Sequence, residues 1–485
     1  MRYVSNSHES SAPRSRARRG LLGWIIGHPK TSIAIAFLLL AAGAYYGIEY
    51  LAEQRFERRI ADIRAKGEPL TMEDIRRLDP GIPEEENMTT ALLKAARPFL
   101  DLIQPPDGSP SEFGVISNLP QLKPGERAKP EYLASARRFI EHSPDALTEM
   151  HEAARMERAW FDWKWKSPYF HTQLPELSQT GRASGILLLD SLLGVEDGNQ
   201  DRAVRSLVDS LRVCRAFDSP WQNVMGVGLR TKYLNNSIDQ AGRVVSGFTL
   251  NSGEIERIKQ ELRHFSRYRS PSESILVDRA VHIDSLALPE YQEMIYGINQ
   301  SVRSRAVDWH QLSAARALDA ARSLERFRQV LDESDCSESE MPARIDEWER
   351  QNSSIPDYCV MTRYWVPAFG LNLRRQHAAI GRARAALAAF AAEEYRLVNN
   401  DWPDNLDMLV PDFLDAAPLD PFDGRPIRYE VIAEGIKTWS IGEDRTDEGG
   451  NFEHLANIAT KPRPSDVGFF ITNAEYRVVS PQTSE

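Results

Sequence analysis

The sequence predicts a mainly α-helical protein. It combines an N-terminal transmembrane helix, a body of tetratricopeptide-like helical hairpins, and a small α+β module with a β-hairpin near the C-terminus. Three observations carry this reading. A run of eighteen residues without charge occupies positions 31–48. Apolar residues recur at helical spacing through long stretches of 174–331. Past residue 400 the apolar period shortens to that of strands. The expected organisation is a basic cytoplasmic tail (1–30), the transmembrane helix (31–50), juxtamembrane helices and a loop (51–130), the helical body (131–370), the α+β module (376–450) and a C-terminal tail (451–485).

The apolar segment Ile33–Ile48, preceded by Thr31 and Ser32, would span about 27 Å as a helix, against a hydrocarbon thickness of ~30 Å. Tyr45 and Tyr46 lie near one end, where an interfacial aromatic belt would place them. The rival reading is a signal peptide, with Ala42-Gly43-Ala44 as a small-x-small cleavage site. The helical pattern runs on from Glu49 to Ile63 with no turn residue, which favours an anchor. Basic residues are balanced across the run: Arg14, Arg16, Arg18, Arg19 and Lys30 precede it, and Arg55, Arg58, Arg59, Arg64 and Lys66 follow. Orientation therefore rests on the wider charge distribution. Residues 1–66 carry eleven Lys/Arg against five Asp/Glu, whereas the whole chain has a net charge of −11, which leaves −17 for the remainder. The expectation is a cytoplasmic N-terminus, an inner-membrane anchor and an extracytoplasmic body. So acidic a body argues against nucleic acid as a partner, because binding a phosphate backbone needs a basic face. The expected partners are the lipid bilayer and another protein.

In the body, Thr71-Met-Glu-Asp74 reads as a capping box opening a short helix, which Asp79-Pro80-Gly81-Ile82-Pro83 ends. Ala91–Leu100 resumes helical character, and 104–130 is rich in Pro, Gly, Ser and Asp, the composition of a loop. Ser143-Pro144 opens another helix, with Pro at its first position. Ile186, Leu189, Leu192 and Leu193 keep helical spacing up to Gly198. Leu207, Leu211 and Cys214 resume it after Ala203, as in a tetratricopeptide-like hairpin. Asn251-Ser-Gly-Glu254 caps a helix with Ile255, Ile258 and Leu262 on one face, and a further helix is expected over 300–331.

Motifs that carry chemistry are absent. None of the ten His residues falls in an HExxH spacing, and His142 and His151, nine apart, do not share a helical face. Gly226-Val-Gly228 lacks the third glycine of a dinucleotide loop, and Gly181-Arg-Ala-Ser184-Gly185 is not a nucleophile elbow. Cys214, Cys336 and Cys359 form no CxxC pair; in an oxidising compartment Cys336 and Cys359 could pair, or all three could be buried thiols. The segment Trp160–Phe170, with Trp163, Trp165 and Tyr169, reads either as a platform for a sugar ring or peptide or as a packing plug between helices.

Gln376–Asn400 is Ala-rich, with an apolar seam at Ile380, Ala383, Leu387, Phe390 and Leu397. Asp420-Pro421-Phe422-Asp423-Gly424 has turn chemistry, and Ile427–Ile432 and Ile436–Ile441 read as strands joined at Glu434-Gly435. The order of parts, with Tyr395, Trp402-Pro403, Leu406, Leu409, Asp420-Pro421, Gly424, Pro426, Tyr429, Trp439-Ser440-Ile441-Gly442, Asp444 and Gly449-Gly450, resembles the C-terminal half of the major pseudopilins of type II secretion. The resemblance covers about 376–450. It implies a Ca²⁺ site in the acidic loop, with Asp444 and Asp447 as carboxylate ligands. In that family the hydrophobic helix joins this module directly; here it lies more than three hundred residues upstream, so no assembly into a pilus is expected. The whole chain also resembles a group of bacterial membrane-anchored helical proteins.

Two functions follow as expectations. The first is a membrane-tethered interaction or scaffold protein without enzymatic activity. The second is an extracytoplasmic enzyme acting on envelope glycan or peptide, with the aromatic segment lining its cleft.

Overall fold

In the computed structural model, residues 29–109, 111, 113, 126–161, 175–218, 221, 223–286, 313–356, 358–451, 466–473, 475 and 477 are described. Among them are thirteen α-helices and one three-stranded antiparallel sheet.

Helix α1 (Pro29–Ala65) is continuous for 37 residues. Its first turns stand in the open: Ile33, Phe37, Leu38, Leu39 and Leu40 are 65–74% exposed. Of the most apolar eighteen-residue window, 0% is buried, which a core helix of a soluble protein would not show. Length and composition suffice to cross a membrane. Its second half turns one face inward. Ile60 and Ile63 pack with Leu70 and with Leu324 of α11 (Ser313–Glu333), and Arg59 lies 3.6 Å from Glu325. Gly67, with φ of +69°, ends the helix, and the Glu68 N–H donates back to the Ile63 carbonyl at 3.2 Å.

Helix α2 (Met72–Leu78) carries the expected capping box: Thr71 Oγ1 accepts from Asp74 N–H, and Asp74 accepts from Thr71 N–H. Helices α3 (Met88–Ile103), α4 (Pro130–Glu141) and α5 (Pro144–Ala153) follow, the last two with Pro at the first turn. They bury Leu92, Phe99, Phe139 and Met150 against one face of α6 (Pro175–Glu196).

Helices α6 and α7 (Gln200–Cys214) form the antiparallel hairpin read from the sequence. Gly198 takes φ of +70° in the turn, and Asn199 caps α7 by accepting from Arg202 N–H at 3.1 Å. A Cβ on Gly194 would stand 2.6 Å from the Ala203 nitrogen, so the two backbones can cross only because a glycine faces an alanine. On its other side α7 meets α8 (Val224–Gly247) and α9 (Ser252–Phe265), whose Asn251–Glu254 capping box is present. Helices α10 (Ser272–Ser285) and α12 (Met341–Asn352) pack beside α11.

Helix α13 (Val360–Asn399) starts sixteen residues before the expected module boundary at 376. Its Ala-rich part is more than a seam. Ala383, Ala385, Ala386, Ala388, Ala389, Ala391 and Ala392 are all fully buried, because α8, α9 and the sheet surround this stretch. Strands β1 (Arg428–Ile432) and β2 (Gly435–Ser440) form the expected hairpin, with Ile432 opposite Gly435. The segment read as a C-terminal tail supplies a third strand, β3 (Val467–Thr472), on the other edge of β2. Gly435 is required there: with φ of +150°, any Cβ would stand 1.9 Å from the Ile471 carbonyl oxygen. The module is not a separate body. Phe390, Ile436, Phe469 and Ile471 share one apolar core with Leu207, Leu211, Ile238 and Ile258 of α7, α8 and α9. Arg382 on α13 ties them further, donating to the Asn235 carbonyl at 3.2 Å and pairing with Asp239.

Candidate functional site

The sequence-derived candidates are described first. In the acidic loop, Asp447 Oδ1 accepts from Trp439 Nε1–H at 2.9 Å and from Gly449 N–H at 3.0 Å, while its Oδ2 lies 3.4 Å from Arg428 Nε. Asp444 caps its own turn by accepting from Thr446 N–H at 3.0 Å. Asp466, just before β3, accepts from Glu448 and Gly450 N–H groups at 3.1 and 2.9 Å. Among the described residues, no group of three or more His, Cys, Asp or Glu side chains is placed to hold a metal. Calcium takes six to eight oxygens. Asp444 and Asp447 supply only part of such a shell as they stand: Arg428 lies against Asp447 Oδ2, and Thr446 and Gly449 N–H groups each take one carboxylate oxygen.

Of the aromatic segment, Trp160 and Phe161 are described, and 162–170 lie outside the described residues. Trp160 is held by Asn87, which accepts its N–H at 3.0 Å and donates to its carbonyl at 2.9 Å. Its ring lies against Gly81, and Phe161 is buried with its ring centroid 5.4 Å from that of Phe217. These two aromatics pack inward. All three cysteines are free; burial pushes the Cys214 and Cys359 thiols up to about 12.

The structure brings together a different set of residues, beside the α6–α7 hairpin. Asp190 on α6 and Asp209 on α7 sit within apolar helix faces and have side chains 1% and 2% exposed. Between them lies His151 of α5. Its Nδ1 is 2.9 Å from Asp209 Oδ2, and its Nε2 is 3.8 Å from Asp190 Oδ2. The first is a hydrogen bond, the second an ion-pair contact. Burial disfavours the imidazolium, yet the two carboxylates carry its pKa above the ordinary histidine value. Against its burial, Asp190 is held below the usual carboxylate range by His151 beside it and by donation from Arg202, whose Nε–H lies at 2.9 Å, and from Ser206.

Outward from this cluster opens a cavity of about 560 Å³, within the range that takes small molecules. Helix α7 presents Arg205, Val208, Asp209 and Arg212 to it, the spacing of a single helical face. Arg155 and Glu157 enter from the end of α5, Arg215 from the turn after α7, and Arg257, Gln260 and Glu261 from α9. Glu261, 3% exposed, fixes two guanidiniums: Arg212 Nε at 3.3 Å and Arg215 at 2.6 Å. Arg212 also donates to Asp209 at 3.0 Å. The arrangement offers guanidinium forks held by buried carboxylates and contains no nucleophile paired with a base. The signal for it lay in the sequence as charged residues inside apolar helical runs. Charge at helical spacing usually marks a solvated face, and for that reason it was missed.

Compared with family models, curated proteins and solved structures, the chain matches none.

Proposed function

We propose that the protein is a single-pass, membrane-tethered scaffold whose helical body acts outside the cytoplasm by binding a protein partner. One observation carries this reading. The apolar run of α1 is unburied, with Ile33 to Leu40 in the open, while the same unbroken helix packs into the body through Tyr45 at the end of that run and through Ile60 and Ile63 beyond it. Tyr45 Oη lies 2.9 Å from Ser313 Oγ and accepts from Ala314 N–H at 3.3 Å, so the body is fastened at the end of the apolar run. A helix built into the body in this way is retained with it, which supports an anchor over a cleaved signal. The short basic N-terminal tail and the acidic remainder support the outward orientation. The shared core of module and body supports one docking surface in place of a polymerising subunit. The pseudopilin likeness and its calcium assignment rest on the sequence motifs; an ion at Asp447 would first have to displace Arg428. The glycan or peptide enzyme rests on the aromatic segment, of which Trp160 and Phe161 alone are described, and these two pack inward.

The test is expression of the full chain in a bacterial host, with alkaline carbonate washing of membranes and protease treatment of spheroplasts. The expected result is full-length protein in the washed membranes, with the body digested from outside. A released protein whose N-terminus begins after Ala44 would overturn the tether, and protection in spheroplasts would reverse the orientation.

A further inference from the structure

We infer that the arginine-lined cavity beside α7 is a binding site for a phosphorylated small molecule carrying two or more negative charges. Charge is the first argument. The chain carries a net charge of −11, yet this cavity collects five arginines against three carboxylates, a surplus of two positive charges in about 560 Å³. Guanidiniums converging on one space repel each other unless an anion joins them.

The arrangement of the arginines is the second argument. Asp209 and Glu261 are the buried members, and they spend their oxygens on His151, Arg212 and Arg215. They form a floor that orients two guanidiniums without saturating them. Arg155 and Arg257 have no ion-pair partner among the described residues, and Arg205 has only Asp201, at 3.9 Å with 78% of its side chain exposed. The Nε–H groups of Arg205 and Arg215 are buried and make no hydrogen bond. Each such donor costs free energy until an acceptor reaches it.

Shape selects the ligand class. The arginines approach from three separate segments: the end of α5, the α7 face with its following turn, and α9. A phosphoryl group presents three oxygens around a tetrahedron and can take forks from several sides. A carboxylate is planar and offers two oxygens, which one fork satisfies. The volume exceeds that of a bare phosphate, and Gln260 and Glu157 are positioned at the wall to bond hydroxyl groups of an attached organic part.

The test is calorimetric titration of the full-length protein in detergent micelles with inorganic pyrophosphate, using citrate as a carboxylate of comparable charge. The expected result is saturable pyrophosphate binding, at least tenfold tighter than citrate. Arg257→Gln and Arg155→Gln should each weaken it tenfold or more while leaving the melting midpoint in place, because neither residue holds an ion pair that supports the fold. Arg97→Gln, a surface arginine paired with Asp101 at 2.8 Å on α3, should leave affinity unchanged. Absence of saturable binding, citrate binding as tight as pyrophosphate, or equal losses in all three variants would overturn the site. Should Arg257→Gln fail to fold, Arg155→Gln, on the exposed end of α5, decides alone.

Discussion

His151 shows how much one buried charge can control. Its imidazolium is 8% exposed and separates two carboxylates that are almost fully enclosed. Removing it would leave Asp190 and Asp209 facing each other across a gap, with Arg202 and Arg212 as their remaining counter-charges. His151→Ala should therefore cost about 3 kcal/mol, the lower end of the range for breaking a buried pair, in urea unfolding at pH 6. The pH dependence has a definite sign. A histidine whose folded pKa is raised contributes its full stability below the unfolded value of about 6.5 and loses it as pH rises through the folded value. The wild type should thus lose stability as pH rises above about 6.5, and His151→Gln should lack that part of the decline. A variant whose slope matches the wild type would show that the site is uncharged. At this scale the sequence was only partly legible. Asp190 interrupts Ile186, Leu189, Leu192 and Leu193, and Asp209 lies between Leu207 and Leu211, so both are charges set in an apolar rhythm. Their partner, His151, is 58 residues from Asp209, and nothing in one chain's spacing links them.

Helices and their crossings were read better than residues. The capping boxes at Thr71 and Asn251 and the turn at Gly198 are local devices, so a few adjacent residues suffice to specify them. What the periodicity could not give was closeness. Gly194 lies two residues before the end of α6 and reads as a weak helix former, yet its bare backbone is what Ala203 of α7 leans on. Gly194→Ala puts a methyl group 2.6 Å from a backbone nitrogen that cannot swing aside, and the hairpin must separate. The expected cost is about 1–3 kcal/mol by denaturant unfolding, although alanine is the better helix former. A stabilised variant would mean that the helices lie farther apart. Helix α13 teaches the same point. An alanine-rich stretch reads as a strong helix with a seam, but alanine on every face is what lets three neighbours approach at once. Strand β3 escaped because its partner, β2, already looked closed by the hairpin with β1, and a strand edge can be completed from 27 residues away.

For the whole molecule, the junction between α1 and the body matters most. Glu68, just past Gly67, binds Arg279 of α10 at 2.6 Å and Arg328 of α11 at 2.8 Å, and Arg279 is 1% exposed. Glu68→Ala would leave a buried guanidinium with the Pro69 carbonyl, at 2.9 Å, as its described acceptor. The expected result is a loss of about 3 kcal/mol and faster proteolysis near Gly67, with membrane retention unchanged. Unchanged proteolysis would show that apolar packing at Ile60 and Ile63 suffices to hold the joint. The long apolar helix itself was legible because eighteen uncharged residues are a composition signal. The joint was not, because it pairs residue 68 with residues 279 and 328.

That joint determines what kind of tether α1 is. Beyond Ile48 the helix runs on for seventeen residues, about 25 Å at 1.5 Å each. A flexible linker of that length would let its cargo wander roughly 20–25 Å in every direction. A helix clamped along its side by α11 permits no such excursion. On the tethered reading it acts as a post and not a leash, leaving the body free to spin and drift in the plane but fixed in height. Whatever the body binds must come to it within one molecular diameter of the lipid headgroups. Its search is then a two-dimensional one.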